Sequence, residues 1–159
     1  MRKVSYISLG VFLFAWWVVS ISYSSHLEDT GFEFSSFKAK AGDMPAWKDA
    51  DFDDSSWSYL FPKYGAEEIW WMRFDMKIHQ ALEMDKKYGL RLSVSAPHEV
   101  FFDGVYLGNN GQVFPQSSLS GLKYQKLYFI PDSLVYPGSH KLSIRLASNM
   151  WNWHESPSS

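Results

Sequence analysis

The side chains of this sequence that are best suited to chemistry belong to tryptophan, arginine and amide residues, and that chemistry is binding rather than bond cleavage. An indole ring can stack on the apolar face of a pyranose while guanidinium and amide groups bond to its hydroxyls. The candidates are Trp57, Trp71 and Arg73, with Asn109, Asn110 and Gln112 as hydrogen-bonding partners. Burial in an apolar core is the commoner fate of a tryptophan, so both interpretations of Trp57 and Trp71 stay open.

The densest acidic cluster consists of Asp51, Asp53 and Asp54, and its spacing is typical of turns. Glycoside hydrolysis requires two carboxyl groups about 5–9 Å apart, one of them with a raised pKa. Counted as an EF-hand loop from Asp51, the cluster has Ser56 and Pro62 where glycine and glutamate are needed, so that calcium motif fails. A structural calcium on backbone carbonyls stays open. We predict no catalytic residue and no enzyme activity for this chain.

Cysteine and histidine give no sign of a metal or cofactor site. The chain has no cysteine, which excludes thiolate chemistry, disulfides and Cys-ligated zinc. The five histidines are dispersed, without metal-ligand spacing. His98 precedes a predicted hairpin, where it could contact a ligand or be an ordinary loop residue. We therefore predict no metal ligand and no cofactor, and we keep His98 among the candidate ligand contacts.

Length and charge limit the class of protein. A chain of 159 residues accommodates one ordinary domain with short appendages. The 15 basic and 17 acidic residues nearly cancel and form no basic tract, which argues against a nucleic-acid partner. An aromatic content of 18% is typical of a small β-fold whose thin core is filled by large side chains.

Short strands must position the candidate residues. Strict alternation from Trp70 to Ile78 predicts a half-buried strand with Trp71 and Arg73 on its outer face. Asp103-Gly104 is typical of a tight hairpin turn. The other predicted segments are a strand at 88–95, a hairpin at 99–111, and strands at 126–131 and 141–147 that are joined through a turn at 136–139. Together they predict an all-β fold, an antiparallel β-sandwich of jelly-roll type.

The N-terminal segment predicts a transmembrane or signal helix. Arg2-Lys3 precedes an apolar run from Val4 to Ile21, whose helical length of about 27 Å approaches the hydrocarbon thickness of about 30 Å. We expect an uncleaved anchor; a cleaved signal peptide and a buried core helix are the alternatives. The predicted organisation is an anchor or signal peptide at 1–22, a tether with one short strand at 23–44, the sandwich at 45–150, and a linker at 151–159 to a downstream region.

Several segments follow one another in an order that is typical of one family. They are Trp47, the run from Asp51 to Trp57, Trp70-Trp71-Met72-Arg73, the hairpin from His98 to Gly108, and Pro137-Gly138 before the strand that ends at Asn149. In this order they resemble the galactose-binding-domain-like jelly rolls, over about two thirds of the chain. Two groups of relatives are similar: the extracytoplasmic sensor domains of bacterial membrane signalling proteins and the N-terminal sugar-binding domains of family 2 glycoside hydrolases.

The stretch from Asn109 to Phe114 looks more like the sensor version. The resemblance then implies a non-catalytic ligand-sensing or carbohydrate-binding domain at the bacterial inner membrane, facing the periplasm or the exterior. Its partners would be a carbohydrate or other small ligand and, through the N-terminal helix, the membrane. One alternative is the accessory domain of a β-galactosidase-like or β-glucuronidase-like hydrolase, whose catalytic carboxylates lie in another domain, secreted or periplasmic after signal cleavage. Another is a structural interaction module without a small ligand.

Overall fold

The computed structural model describes residues 7–12, 20–21, 31–59, 69–80, 86–94, 96–113, 121–123 and 125–147. Nine strands lie in these ranges: β1 Ile7–Phe12, β2 Ser20–Ile21, β3 Phe32–Ala41, β4 Ile69–Ile78, β5 Gly89–Ser93, β6 His98–Phe102, β7 Val105–Asn110, β8 Lys126–Phe129 and β9 Gly138–Ala147. Two short 3-10 helices, Pro45–Lys48 and Asp132–Leu134, lie in the connections. The described part of the chain is therefore almost entirely β-structure, as predicted.

The strands form two sheets, one in the order β2-β1-β5-β8 and one in the order β3-β4-β9-β6-β7. All paired strands are antiparallel except β1 and β5, which are parallel. Apolar side chains of both sheets share one core, to which β5 contributes Leu90 and Leu92 and the five-stranded sheet contributes Val100 and Ile144. The predicted all-β sandwich is confirmed.

Alternation along β4 divides its side chains between two surfaces. Trp70, Met72 and Phe74 belong to the core, together with Met76 and Ile78. Because successive side chains of a strand point to opposite faces, Trp71 and Arg73 lie on the other side of the sheet. We call this surface of the five-stranded sheet the outer face.

The β6–β7 hairpin turns at Asp103-Gly104, as predicted. Both residues have positive φ, 47° and 79°, the combination that a two-residue type I′ turn requires. The Asp103 carboxylate accepts a hydrogen bond from the backbone N–H of Lys141 (2.7 Å) and lies 2.6 Å from Nδ1 of His140. The turn is therefore bonded to β9, which fixes the position of the hairpin on the sheet.

The connection between β8 and β9 crosses from one sheet to the other. β8 is an edge strand of the four-stranded sheet, whereas β9 is the central strand of the five-stranded sheet. The sequence predicted both strands and the turn at 136–139, but local pattern contains no information about which sheet a strand joins.

The N-terminal helix prediction is not supported. The described parts of that segment, Ile7–Phe12 and Ser20–Ile21, are strands. β1 pairs in parallel with β5 and antiparallel with β2. The physical reason is that a run of Ile, Leu, Val and Phe suits a buried strand as well as a helix, and hydropathy does not separate the two. In the part of the chain that the structure describes, no helix is both long and apolar enough to cross a membrane.

The boundary that was predicted at residue 45 lies inside the sandwich. Phe32–Ala41 is a ten-residue edge strand and pairs with β4 along almost its whole length, with one irregularity between Phe34 and Ser36. Its charged residues Glu33, Lys38 and Lys40 are paired with the outer-face residues Lys77, Arg73 and Trp71 of β4. Polar residues on an edge strand give the segment the composition of a tether. The predicted linker at 151–159 lies outside the described residues.

Candidate functional site

A loop, residues 42–58, lies across the outer face and is bonded to the sheet at both ends. The backbone N–H of Gly42 donates to the carbonyl of Ile69 at 2.9 Å. At the other end, Ala39 and Ser58 exchange two backbone hydrogen bonds of 2.8 and 3.3 Å. We call this segment the covering loop, because it buries the outer-face side chains beneath it.

Arg73 connects the sheet to the covering loop and is only 1% exposed. Its Nε donates to Asp54 Oδ2 at 2.8 Å. Nη1 donates to the carbonyls of Trp47 and Asp49, and Nη2 donates to the carbonyl of Phe52. A guanidinium group suits this position because its planar fork of donors can serve several acceptors at once. Four of the five N–H donors of Arg73, which is predicted as a ligand contact, are therefore used by protein acceptors.

Asp54 is the counter-charge of this region. Three cations bond its carboxylate: Lys38 at 2.7 Å, Arg73 at 2.8 Å and Lys141 at 3.0 Å. Burial would raise the pKa of Asp54, but the hydrogen bonds from the three cations outweigh it and hold that pKa far below its usual range. Asp54 is therefore a buried ionised group. The sequence predicts a turn role for the side chains of the whole acidic cluster, and for Asp54 that prediction is wrong. Asp53 does have that role, since its carboxylate accepts a bond from the backbone N–H of Ser55.

Asp54, in the covering loop, and Asp75, on the outer face of β4, are poorly suited to general acid catalysis. Lys141 bridges Asp54 and Asp75. Burial alone would raise the pKa of Asp75, but the hydrogen bonds from Lys141 and Ser36 outweigh it and lower that pKa. A general acid needs a raised pKa, and both of these groups are shifted in the opposite direction. The arrangement is that of a structural ion network.

An aromatic row runs across the outer face from the covering loop to β7. Its members in order are Trp57, Trp47, Trp71, Phe101 and Tyr106, with successive ring centroids 5.0, 6.4, 5.6 and 5.5 Å apart. Trp57 and Trp71 are 4% and 2% exposed, whereas Tyr106 is 53% exposed. The two predicted platform tryptophans are therefore interior packing residues, and the ring that faces solvent is Tyr106.

Three charged side chains lie beside the row. Arg145 donates to both oxygens of Asp43 at 2.8 and 2.6 Å and to Glu99 at 2.9 Å. Trp71 Nε1 donates to Asp43 at 3.1 Å. Burial alone would raise the pKa of Asp43, but the hydrogen bonds from Arg145 and Trp71 outweigh it and lower that pKa. The hydrogen bond to Asp43 in turn raises the pKa of Arg145. Arg145 thus holds both carboxylates of the trio, while Asp43 and Glu99 keep 37% and 26% of their side chains exposed.

His98 and Asn110 are buried at the inner side of the sheet. His98 is 0% exposed, its Nδ1 lies 2.7 Å from the carbonyl of Ala96, and its Nε2 lies 2.8 Å from the Tyr128 hydroxyl. Because a carbonyl only accepts, Nδ1 carries the proton and Nε2 accepts from Tyr128. Asn110 bonds the carbonyl and the N–H of Lys123. Both side chains are therefore within the packed structure.

Asn109 and Gln112 are exposed at the end of β7. Asn109 donates to the carbonyl of Gly111 at 2.8 Å, and in the sheet it is paired with Glu99. Of the seven predicted contacts, the structure thus brings Trp57, Trp71 and Arg73 together as a buried group. Asn109 and Gln112 are exposed, and Asn109 is paired with Glu99.

Sequence reasoning did not select Tyr106, Glu99, Arg145 or Asp43. A partial signal was present, because the alternation that placed Trp71 outward also places Glu99 outward on β6 and Arg145 outward on β9. Their meeting depends on strand order and register, Trp71↔Arg145↔Glu99, which the sequence does not give. Among the described residues, no group of three or more His, Cys, Asp or Glu side chains could hold a metal ion.

No protein-family model and no curated protein matches this sequence. Solved structures do match. Bacteroides uniformis β-glucuronidase 2, covalently bound to cyclophellitol-6-carboxylate aziridine, superposes with a TM-score of 0.52 at 18% identity, over 72% of this chain and 14% of that chain. A Bacteroides uniformis β-glucuronidase superposes with a TM-score of 0.50 at 16% identity and the same coverage. A β-glucuronidase from glycoside hydrolase family 2 gives 0.48 at 15% identity, over 74% of this chain and 14% of that chain.

At these identities the matches establish the fold alone. The chain shares a β-sandwich with the β-glucuronidases and spans 14% of their length. The predicted similarity to β-glucuronidases is thereby supported at the level of the fold, and the similarity to sensor domains is not shown.

Proposed function

We propose that this chain is a non-catalytic accessory β-sandwich of a glycoside hydrolase similar to family 2, which helps to bind carbohydrate while another part of the protein performs the hydrolysis. The observation that carries the proposal is the superposition on Bacteroides uniformis β-glucuronidase 2, over 72% of this chain and 14% of that chain. A unit that corresponds to so small a share of an enzyme is expected to support the active site rather than to contain it.

The chemistry of the outer face supports a non-catalytic role. Asp54 and Asp75 have lowered pKa values, and Asp54 is bonded by three cations. Retaining and inverting glycosidases both need a carboxyl group that is protonated at the start of the reaction. Charged and aromatic side chains at the exposed end of the aromatic row are instead suited to contact with a polar ligand.

The proposal is tested on the full-length protein expressed from its natural gene. We expect hydrolysis of 4-nitrophenyl β-D-glucuronide or 4-nitrophenyl β-D-galactoside. We also expect kcat to be unchanged in Asp51→Asn and Asp53→Asn, which alter exposed acidic residues and should leave the fold intact. A full-length protein that hydrolyses neither glycoside, or that continues into membrane spans and a kinase or cyclase, would contradict the proposal. Loss of kcat in either variant would contradict the non-catalytic role.

A further inference from the structure

We propose that the exposed end of the aromatic row is a contact site for an uncharged pyranose, with Tyr106 as the stacking ring and Glu99 and Asp43 as acceptors for sugar hydroxyls. This inference rests on the proposed function, to which it adds a location and a class of sugar. None of the three residues was selected from the sequence, and the site differs from the tryptophan surface that the sequence predicted.

Tyr106 has the exposure and the support that a stacking platform needs. Its ring is on the solvent side, with the residue 53% exposed, and packs against Phe101 at a centroid distance of 5.5 Å. Phe101 in turn stacks on Trp71, which is 2% exposed, with an interplanar angle of 23°. A tyrosine has only two side-chain torsions, so a ring that is packed in this way is ordered at low entropic cost before a ligand arrives.

The acceptors lie on the same face of the sheet as the ring. β6 and β7 pair Phe101 with Tyr106 and Glu99 with Asn109. Glu99 also pairs with Arg145 on β9. Tyr106 and Glu99 are therefore diagonal neighbours across two adjacent strands, within the reach of a ring and a long side chain.

The ion trio holds the two carboxylates in place while leaving acceptor capacity. Arg145 bonds both oxygens of Asp43 and one oxygen of Glu99. Each carboxylate oxygen has two lone pairs. Asp43 Oδ1 uses both, because it accepts from Arg145 and from Trp71. Asp43 Oδ2 and Glu99 Oε2 each accept one bond from Arg145 and can accept a second bond from a sugar hydroxyl. Because the side chains of Asp43 and Glu99 are 37% and 26% exposed, a hydroxyl can reach them from solvent.

Charge at the site favours a neutral sugar over a uronate. The trio contains two carboxylates and one guanidinium, and burial together with the Glu99 charge raises the pKa of the Tyr106 hydroxyl. Lys126, which bonds the carbonyl of Asn109, reduces this excess at the edge of β7. A ligand carboxylate beside Tyr106 would meet like charge in a partly solvated setting, where such repulsion is modest. We expect methyl β-D-glucuronide to bind about threefold more weakly than a neutral methyl β-pyranoside.

The test is a set of NMR titrations of the 15N-labelled 159-residue chain with methyl β-D-galactopyranoside, methyl β-D-glucopyranoside and methyl β-D-glucuronide. We expect the shift changes of a neutral sugar to be centred on residues 99–109. Tyr106→Ala should weaken that binding about tenfold, whereas Tyr106→Phe keeps the ring and should retain most of it. Tyr59→Ala is the matched control, because Tyr59 is 63% exposed on the covering-loop side of the sheet, next to Lys38 of β3. Glu99→Gln should reduce the difference in affinity between methyl β-D-glucuronide and a neutral methyl β-pyranoside, because it removes one negative charge from the site.

The outcomes separate this site from the proposed function. If a sugar shifts residues elsewhere and Tyr106→Ala binds it as well as the wild type does, the site is wrong and the accessory role stands. If none of the three sugars shifts any resonance, the site is wrong, and glycoside hydrolysis by the full-length protein still decides the accessory role. If shifts centre on the hairpin but the full-length protein is no hydrolase, the site stands and the accessory role fails. Tighter binding of glucuronide than of both neutral sugars would overturn the assignment of sugar class.

Discussion

The two faces of the five-stranded sheet are built by different means. The inner face is mainly apolar and packs against the second sheet through side chains such as Met72, Phe74 and Ile144. The outer face is covered by a loop that is held through Arg73 and Asp54, which are 1% and 6% exposed. Arg73 donates to Asp54 and to backbone carbonyls of the loop.

This difference predicts which substitutions each face of the sheet can accept. Apolar burial is non-directional and depends on area and volume, so the inner face should tolerate changes of shape that conserve volume. A buried charge is stable only while its partners remain in place, so the outer face should fail when one partner is removed, even if little volume is lost.

The largest expected effect is that of Asp54→Ala. Removing this carboxylate leaves Arg73 buried without its counter-ion. Lys38 and Lys141 each lose one ion pair as well. Breaking such a buried pair costs about 3–5 kcal/mol of the free energy of unfolding. Urea denaturation followed by tryptophan fluorescence measures it. Asp53→Ala is the control, since Asp53 is exposed and bonds only the adjacent turn, and it should change the midpoint little. Equal losses in the two variants would refute the difference between the faces.

The next comparison uses one conservative change on each face. Arg73→Lys keeps the charge but loses the forked donors that serve Asp54 and the backbone carbonyls, so we expect a loss of about 2–3 kcal/mol. Leu142→Met, in the core at 0% exposure, conserves volume and should cost less than about 1.5 kcal/mol. Chemical denaturation of both variants gives the ranking. A Leu142→Met variant less stable than Arg73→Lys would reverse the interpretation.

The pH dependence of stability should separate the faces as well. Burial, aided by Lys126, lowers the pKa of His98 from 6.5. Below about pH 6.5, His98 therefore binds a proton in the unfolded chain but stays neutral in the folded chain. The free energy of unfolding then falls as the pH is lowered. On the outer face, the pKa values of Asp43, Asp54 and Asp75 are lowered. The stability that these carboxylates contribute is present above about pH 3.8 and is lost as the pH falls through their native pKa values. The outer face therefore loses stability at a lower pH than the inner face does.

Urea midpoints measured from about pH 8 down to about pH 3 test this order. His98→Gln should flatten the fall of the urea midpoint near neutral pH and leave its fall in acid unchanged. The midpoints of each protein are compared with the midpoint of the same protein at the highest pH. An unchanged profile between about pH 7 and pH 5 in His98→Gln would show that another group is responsible.

The smallest expected effect on stability is that of Tyr106→Ala. Tyr106 is 53% exposed at the end of the aromatic row, so its loss should change the free energy of unfolding by less than about 1 kcal/mol. Trp71→Ala, in the buried part of the same row, should cost about 3–5 kcal/mol. Thermal denaturation of the two variants compares them. A large loss in Tyr106→Ala would make its ring a packing residue and remove the case for a ligand platform.

Much of the fold could be predicted because strand pattern is local. The alternation in β4 and β5 and the Asp103-Gly104 turn all occur where the sequence places them. The start of the chain could not be predicted in the same way, since an apolar run suits a buried strand or a helix equally well. For residues 23–44 the sequence predicts a tether with one short strand, whereas Phe32–Ala41 is a ten-residue edge strand. The strand is underestimated because edge strands carry polar residues that resemble a linker.

The candidate site was predicted less well than the fold. The aromatic and guanidinium residues Trp57, Trp71 and Arg73 do lie together, but the covering loop buries them. Exposure depends on how residues 42–58 fold over the sheet, and no local pattern specifies that. Tyr106 and Glu99 were overlooked because a single tyrosine and a single glutamate in a hairpin have no distinguishing spacing.

The sequence by itself determined the class of fold and which side chains of each strand share a face, because the two-residue period of a strand is a property of the backbone. Only the tertiary structure decided that Asp54 is a buried counter-ion, that Trp71 is interior and that Tyr106 meets solvent beside the Asp43–Arg145–Glu99 trio. Those facts depend on strand order and on the path of the covering loop. Both are decided by contacts between residues far apart in the chain, up to 102 positions for Asp43 and Arg145.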